Sequence, residues 1–255
     1  MTKKRKRTLL VDGDIIAYMV STQCENPIDW GNDLWTLHSD FNEVKEKFLN
    51  TLDSYQQITL CDDVVLTFTD KKNFRKKVLP TYKFNRKDSR KPVTYKALVE
   101  YASEKFKTYT YPWLEGDDVL GILATNGEIP GDKVILTKDK DLRTVPSTIY
   151  FMNGLGSYEE ISEKEADYNH MIQTMTGDVA DNYKGVPKVG IKTAEKILAD
   201  LKHDPVAMWY KVVETFKKAN LSENEALIQA QVARICRASD YNAQTQTPIL
   251  WRKPL

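Results

Sequence analysis

Three short apolar runs divide the first half of the chain, and each gives way to aspartate. "TLLVDGD" ends at Asp12, "VVLTFTD" ends at Asp70, and "DKVILTKDKD" places Asp139 and Asp141 just beyond its last apolar position. Each run is short, β-branched or apolar, and bounded by polar residues, the pattern of a buried strand. Helical spacing separates them at 41–54, 94–106 and 117–125. Strands alternating with helices predict an α/β fold with a mostly parallel central sheet flanked by helices. From about residue 162 the pattern contains no convincing strand. Helical spacing runs over 162–176, 192–201, 205–219 and 223–237. The expected organisation is an α/β part over 1–160 and an all-helical part over 161–255.

The 255 residues, 41% hydrophobic and 29% charged, suffice for a sizeable core in one large domain or two small ones. No apolar run approaches the ~18 residues of a membrane span, and the basic start "MTKKRKRTLLVDGD" lacks the apolar length of a signal peptide. Its "KKRKR" reads as a tail that adds non-specific DNA affinity. Cys24, Cys61 and Cys236 form no CxxC and leave an odd thiol. That points to a reducing, cytoplasmic setting without disulfides or zinc.

Charge changes the picture more. Residues 71–91 hold ten Lys or Arg against Asp88 alone, a local +9 in a chain of net charge +1, which leaves −8 for the remainder. A basic stretch beside an acidic remainder suggests an anionic polymer meeting a cation-binding pocket. Phe74, Tyr82 and Phe84 interleave with the charges, and rings of this kind stack on unpaired bases.

In open α/β sheets ligands bind beyond the carboxyl ends of the strands, where Asp12, Asp70, Asp139 and Asp141 are expected. "LEGDDVLG" adds Glu115, Asp117 and Asp118 at the start of a helix, where the dipole favours negative charge. Acids at helix starts are common, but that does not account for three strands ending in aspartate. Crowded carboxylates need a cation to stay ionised. An oxygen-only set, without His or Cys, suits Mg²⁺ or Mn²⁺, and two such ions can clamp the oxygens of phosphoryl transfer. His38, His170 and His203 are scattered. A further acidic pair, Asp178 and Asp181, precedes "GVPKVGIKTAEKIL", a turn bounded by Gly185 and Gly190 that opens into a helix. Its amides near Val189–Lys192 can meet a phosphate, in the manner of a helix–hairpin–helix that grips DNA backbone without reading bases.

The ordered set "VDGD", "TFTD", "YKFNRK", "LEGDD", "TKDKDL" and "GDVADNYKGVPKVGIKTA" resembles the 5′-nuclease or flap-endonuclease superfamily, above all the stand-alone 5′→3′ exonucleases of tailed phages. The resemblance covers about residues 8–255. It implies a metal-dependent 5′→3′ DNA exonuclease with flap endonuclease activity, giving 5′-phosphate products in phage replication, recombination or primer removal. Asp12, Asp70, Glu115, Asp117, Asp118, Asp139 and Asp141 would gather around one Mg²⁺, and Asp178 and Asp181 would help hold a second. Lys83 and Arg86 match the family's catalytic arch residues, with Tyr82 beside them, in a basic helical arch over about 71–106. Lys76, Lys87, Lys91, Gly185, Gly190, Lys192 and Thr193 would contact DNA, and K⁺ would sit at the hairpin (an H3TH-like element). The implied partners are double-stranded DNA with free 5′ ends or flaps, and RNA–DNA hybrids, for a monomer in the host cytoplasm. Asp14 departs from the family's small neutral residue and reads as a helix N-cap, with a metal contact as the alternative.

Three other readings stand beside this one. "LLVDGDII" also fits a haloacid-dehalogenase-type phosphatase with Asp12 as nucleophile and Asp14 as acid/base, but that leaves "LEGDD", the basic stretch and the hairpin unused. A PIN-type ribonuclease shares the acids without the long helical part. A DNA-binding scaffold with a dead site conflicts with the complete acid set.

Overall fold

The computed structural model describes residues 6–152 and 158–254; most of the basic N-terminal tail lies outside them. The chain opens with β1 (Arg7–Asp12), α1 (Gly13–Gln23), a hairpin of β2 (Asn26–Asp29) and β3 (Trp35–His38), then α2 (Phe41–Thr59) and β4 (Asp63–Thr67). Next come α3 (Arg75–Val78), α4 (Tyr95–Lys105), β5 (Lys107–Tyr109), α5 (Gly116–Thr125), β6 (Asp132–Thr137), β7 (Ser147–Phe151) and β8 (Tyr158–Ile161). Helices α6 (Glu163–Thr176), α7 (Ile191–Leu198), α8 (Pro205–Lys218) and α9 (Glu223–Ala233) follow, then a minimal pair, β9 (Tyr241–Asn242) and β10 (Thr247–Pro248).

The main sheet has the order β5-β4-β1-β6-β7-β8. Every neighbouring pair is parallel except β7–β8. Alternate residues of β1 serve opposite faces, as the pleat requires. Leu9 and Val11 pack with Val20, Phe48, Leu98 and Ala102 of the helices on one side. Leu10 packs with Val119, Leu120 and Leu123 of α5 on the other. A separate apolar cluster, with Met175, Leu198, Trp209 and Phe216, joins α6 to α9.

The chain departs from the sequence pattern where tertiary contacts decide. The second predicted strand stops at Thr67 rather than Asp70: Phe68 N bonds Tyr109 O at 3.0 Å and Asp70 N bonds Leu114 O at 2.9 Å, so 68–70 leave the sheet. The last helix ends at Ala233, four residues before the predicted 237: the main chain turns extended at Arg234, and the carbonyls of Val232 and Arg234 and the amide of Cys236 serve a buried ion pair described below. The predicted arch over 71–106 is shorter. Leu98 and Ala102 place α4 in the layer against the sheet, which leaves 71–94 as the basic excursion.

Candidate active site

The carboxylates meet because the strands end together. Asp12 closes β1 and caps α1, accepting from Ile15 N at 3.0 Å. On the neighbouring strand Asp139 follows β6 and accepts from Asp141 N at 2.8 Å. Glu115 and Asp117 enter from the start of α5. Asp178 and Asp181 come from the loop after α6, where Asp178 Oδ1 accepts from Ala180 N at 2.6 Å. That loop is pinched shut by Gly177 (φ +66) and Gly185 (φ +58): a Cβ on Gly185 would lie 2.4 Å from Gly177 N. Only residues without a side chain allow two backbones so close.

Together these groups line a cleft of about 680 Å³ with eight carboxylates and five cations. The acidic excess is visible in proton affinity. Burial, then the charge of Asp14, pushes Asp12 up to about 7. Burial, then Asp139, pushes Asp141 up to about 7. Asp117 and Asp139 are also raised, first by burial. Asp117 Oδ1 is buried with no hydrogen-bond partner. An orphaned carboxylate oxygen amid like charges has the chemistry that suits a cation.

Part of that cation is supplied by the chain. The Lys83 ammonium contacts Glu115 Oε1 and stands 3.5 Å from Asp181 Oδ2. Tyr82 Oη stands 2.8 Å from both Glu115 Oε2 and Asp181 Oδ2 and has one hydrogen to share between them, and Arg86 Nη2 reaches Asp181 Oδ1 at 2.8 Å. Burial alone would raise Glu115, but Lys83 and then Arg75 override it and bring it to about 2. Backbone bonds fasten the basic excursion here: Lys83 N to Asp181 O at 2.9 Å, and Asn182 Nδ2 to Thr81 O at 2.7 Å. Among the described residues, no three His, Cys, Asp or Glu side chains already form a metal cage. Lys83 occupies two of the cleft's carboxylates, Glu115 and Asp181.

Several expectations need correction. Asp118 does not face the cleft: it is fully buried and forks onto Arg75, at 2.6 and 2.7 Å. Asp70 also lies outside the cleft lining, held by Trp113 N at 2.8 Å. Asp12, not Asp14, is the N-cap; Asp14 lines the cleft and accepts from Thr69 N at 2.8 Å and Tyr95 Oη at 2.5 Å. Tyr82 and Phe74 are buried and offer no ring to a base, whereas Phe84 is exposed. Gly185 is buried against Gly177, so its close approach is internal. Gly190 is exposed at the start of α7, with open space where a Cβ would stand. Lys76, Lys87, Lys91, Lys192 and Thr193 are exposed, and Lys91 also lines the cleft. Lys138 and Lys140 line it as well. Their alternation with Asp139 and Asp141 in "TKDKD" was a readable signal.

A family model described as "5'-3' exonuclease, N-terminal resolvase-like domain" matches residues 7–172. The chain belongs to the 5′-3′ exonuclease family. An exodeoxyribonuclease of Enterobacteria phage T3 is 31% identical, over 96% of this chain and 93% of the phage protein. An exonuclease of Escherichia phage T7 is 28% identical, over 97% and 94%. Among solved structures, a T5 5'-exonuclease with zinc ions bound superposes with a TM-score of 0.65 at 16% identity, over 89% of each chain. That likeness speaks for the α/β fold and its mostly parallel sheet. Among the described residues, no helix is long and apolar enough to cross a membrane.

Proposed function

We propose that the protein is a 5′→3′ exodeoxyribonuclease with flap endonuclease activity, using divalent metal to hydrolyse phosphodiester bonds. The observation that carries this reading is the convergence of carboxylates from β1, β6, α5 and the 178–181 loop on one cleft roofed by Lys83 and Arg86. Asp12, Glu115, Asp117, Asp139 and Asp141 would hold one Mg²⁺ and Asp178 and Asp181 a second, with Mn²⁺ able to substitute. When bound, the ions supply Lewis acidity for attack on phosphorus and for departure of the 3′ oxygen. The phosphatase alternative would need Asp14 free for proton transfer, but it is tied to Thr69 and Tyr95. The experiment is polarity: linear duplex should be degraded from its 5′ ends while covalently closed duplex survives. Equal loss of both would refute the exonuclease reading.

Lys83 is the residue best placed to meet the scissile phosphate. Its ammonium is held by Glu115, and with that carboxylate engaged by metal it would be free to meet the anionic substrate. A group acting on charge that builds in the transition state lowers kcat when removed, by about 10²–10³. Single-turnover rates of Lys83→Ala at saturating enzyme should show that loss. A near-wild-type rate would make Lys83 one more backbone contact.

The helical part would hold the duplex. Gly190 leaves room for a phosphate to approach the first amides of α7, with Lys192 and Thr193 beside them. Gly190→Pro and Lys192→Glu should weaken duplex binding at any sequence, and wild-type binding should fall steeply with salt. A salt-insensitive or strongly sequence-dependent affinity would contradict this role. K⁺ at the same turn belongs to this reading and should strengthen duplex binding relative to Li⁺.

A further inference from the structure

The basic excursion returns to the fold at α4, and two acids outside the proposed metal set fasten its returning leg to α1. Glu25, just past α1, accepts from Arg90 Nη1 and Nη2 at 2.7 Å each and from Val93 N at 2.7 Å. Asp14, in the first turn of α1, accepts from Tyr95 Oη at 2.5 Å on Oδ1 and from Thr69 N at 2.8 Å on Oδ2. Both oxygens of Asp14 are therefore engaged by the chain. Tyr95 opens α4 and lines the acidic cleft. Tyr18 of α1 meets its ring edge-on, with ring centres 6.3 Å apart.

The ring so fixed carries Lys91, whose ammonium stands 4.3 Å from the ring centre. A cation within about 6 Å of an aromatic ring centre is attracted to its face. Arg90 Nη1 also donates to Lys91 O at 3.0 Å, which holds the main chain beneath it. The other cleft cations of the excursion are spent differently: Lys83 pairs with Glu115, and Arg86 with Asp181. Lys91 is exposed, lines the same cleft, and forms no ion pair among the described residues. A free lysine gives up rotamer freedom when it meets a phosphate, and one already seated on a ring gives up less.

We propose that Lys91 is a substrate-positioning cation of the cleft whose place is set by the ring of Tyr95, and that Asp14 is a positioning residue acting through Tyr95. The ligand of Lys91 is a backbone phosphate of the DNA strand other than the scissile one. Lys91 stands on the side of α1, through Tyr95 and Tyr18, whereas Lys83 and Arg86 stand on the 178–181 loop. Cations on two walls of one cleft fix the direction of a strand as well as its depth. The inference rests on the DNA cleft proposed above and gives Asp14 a task apart from metal binding. A mere staple between α1 and α4 would use the same bonds, but its loss would act on DNA binding regardless of whether Lys91 is present.

Fluorescence anisotropy of labelled duplex DNA with an unpaired 5′ strand, titrated with the full chain in EDTA at about 0.1 M salt, tests this without cleavage. Lys91→Ala should weaken binding about three- to tenfold and lower the salt slope by about one, as for one lost phosphate contact. Tyr95→Leu should weaken it about two- to fivefold, the scale of an exposed cation–π contact, and should add nothing in the Lys91→Ala background. Tyr95→Phe keeps the ring but loses the bond to Asp14. It should show a smaller loss with the same dependence on Lys91, and it carries the test if Tyr95→Leu fails to fold. Asp14→Ala is the sharpest arm. Deleting a negative charge from an acidic cleft should by charge alone tighten DNA binding, whereas the proposal predicts weaker binding when Lys91 is present and no weakening in the Lys91→Ala background. Losses from the Tyr95 and Lys91 variants that simply add, or Asp14→Ala protein that binds as tightly as wild type or tighter, would overturn the proposal and leave the DNA cleft standing. Wild-type protein that bound no DNA would refute the cleft, and this proposal with it.

Discussion

Arg75→Ala is expected to lower folding stability by about 3–5 kcal/mol, the cost of stranding one member of a buried ion pair. Arg75 is 3% exposed and Asp118 is 0% exposed. The guanidinium forks onto both carboxylate oxygens, donates Nε to Val232 O at 2.8 Å, and gives Nη2 to Arg234 O at 2.5 Å. Asp118 in turn accepts from Cys236 N at 3.0 Å and Glu115 N at 3.1 Å. One pair therefore ties the start of the basic excursion, the first turn of α5 and the extended main chain after α9. Asp118→Ala should cost a similar amount. A double Arg75→Met, Asp118→Leu replacement should recover much of the loss, because neither charge is then buried alone. Urea unfolding at constant m-value measures all three. Single variants within about 1 kcal/mol of wild type would show that the pair does not hold these segments together.

The adjacent acid should behave in the opposite way. Asp117→Asn is expected to cut the single-turnover cleavage rate by about 10²–10³, as for loss of one electrostatic group at a reacting phosphate. It should also leave the metal-free protein as stable or more stable, by about 0.5–2 kcal/mol, the scale of other stabilising single substitutions. Burial, and then the charges of Asp12, Asp139 and Glu115 around it, raise the proton affinity of Asp117, and its Oδ1 has no partner. Removing one charge there relieves repulsion while deleting one of the acceptors proposed for metal. Normal cleavage by Asp117→Asn, or a stability loss like that of Arg75→Ala, would contradict the assignment.

This contrast shows how much of the site could be read in the sequence. "LEGDD" announced an acidic helix start, and α5 begins there. It did not say which acid faces which way. Successive helical residues point 100° apart, so Asp117 turns to the cleft while Asp118 shares the face of Gly121 and Ile122. That face packs so tightly that a Cβ on Gly121 would lie 2.3 Å from Cys236 O. A helical wheel could have suggested the difference. The partner Arg75, far away in sequence and disguised within a run of surface cations, could not be found that way. Tyr82 was misread for a related reason. Aromatic–basic alternation looks the same whether the ring is free for a base or packed on Tyr183 and Val232, as it is here.

Strands β1, β4 and β6 were legible because parallel strands buried on both faces are continuous apolar runs. The three-residue β5 and the β2–β3 hairpin, which leaves Trp30 and Trp35 exposed, carry too little burial to mark a pattern. Helix α1 escaped detection because it follows β1 with no loop and opens with the apolar "GDIIAYMV". Its first turn is set by Asp12, which closes the strand and caps the helix.

The central claim, that the converging carboxylates hold metal for hydrolysis at a 5′ end, is tested most directly by following linear duplex DNA in Mg²⁺ and in excess EDTA. The account predicts products released from the 5′ end, each carrying a 5′ phosphate, with cleavage abolished by EDTA and restored by added Mg²⁺. Undiminished cleavage in EDTA, or products ending in 5′ hydroxyls, would contradict it.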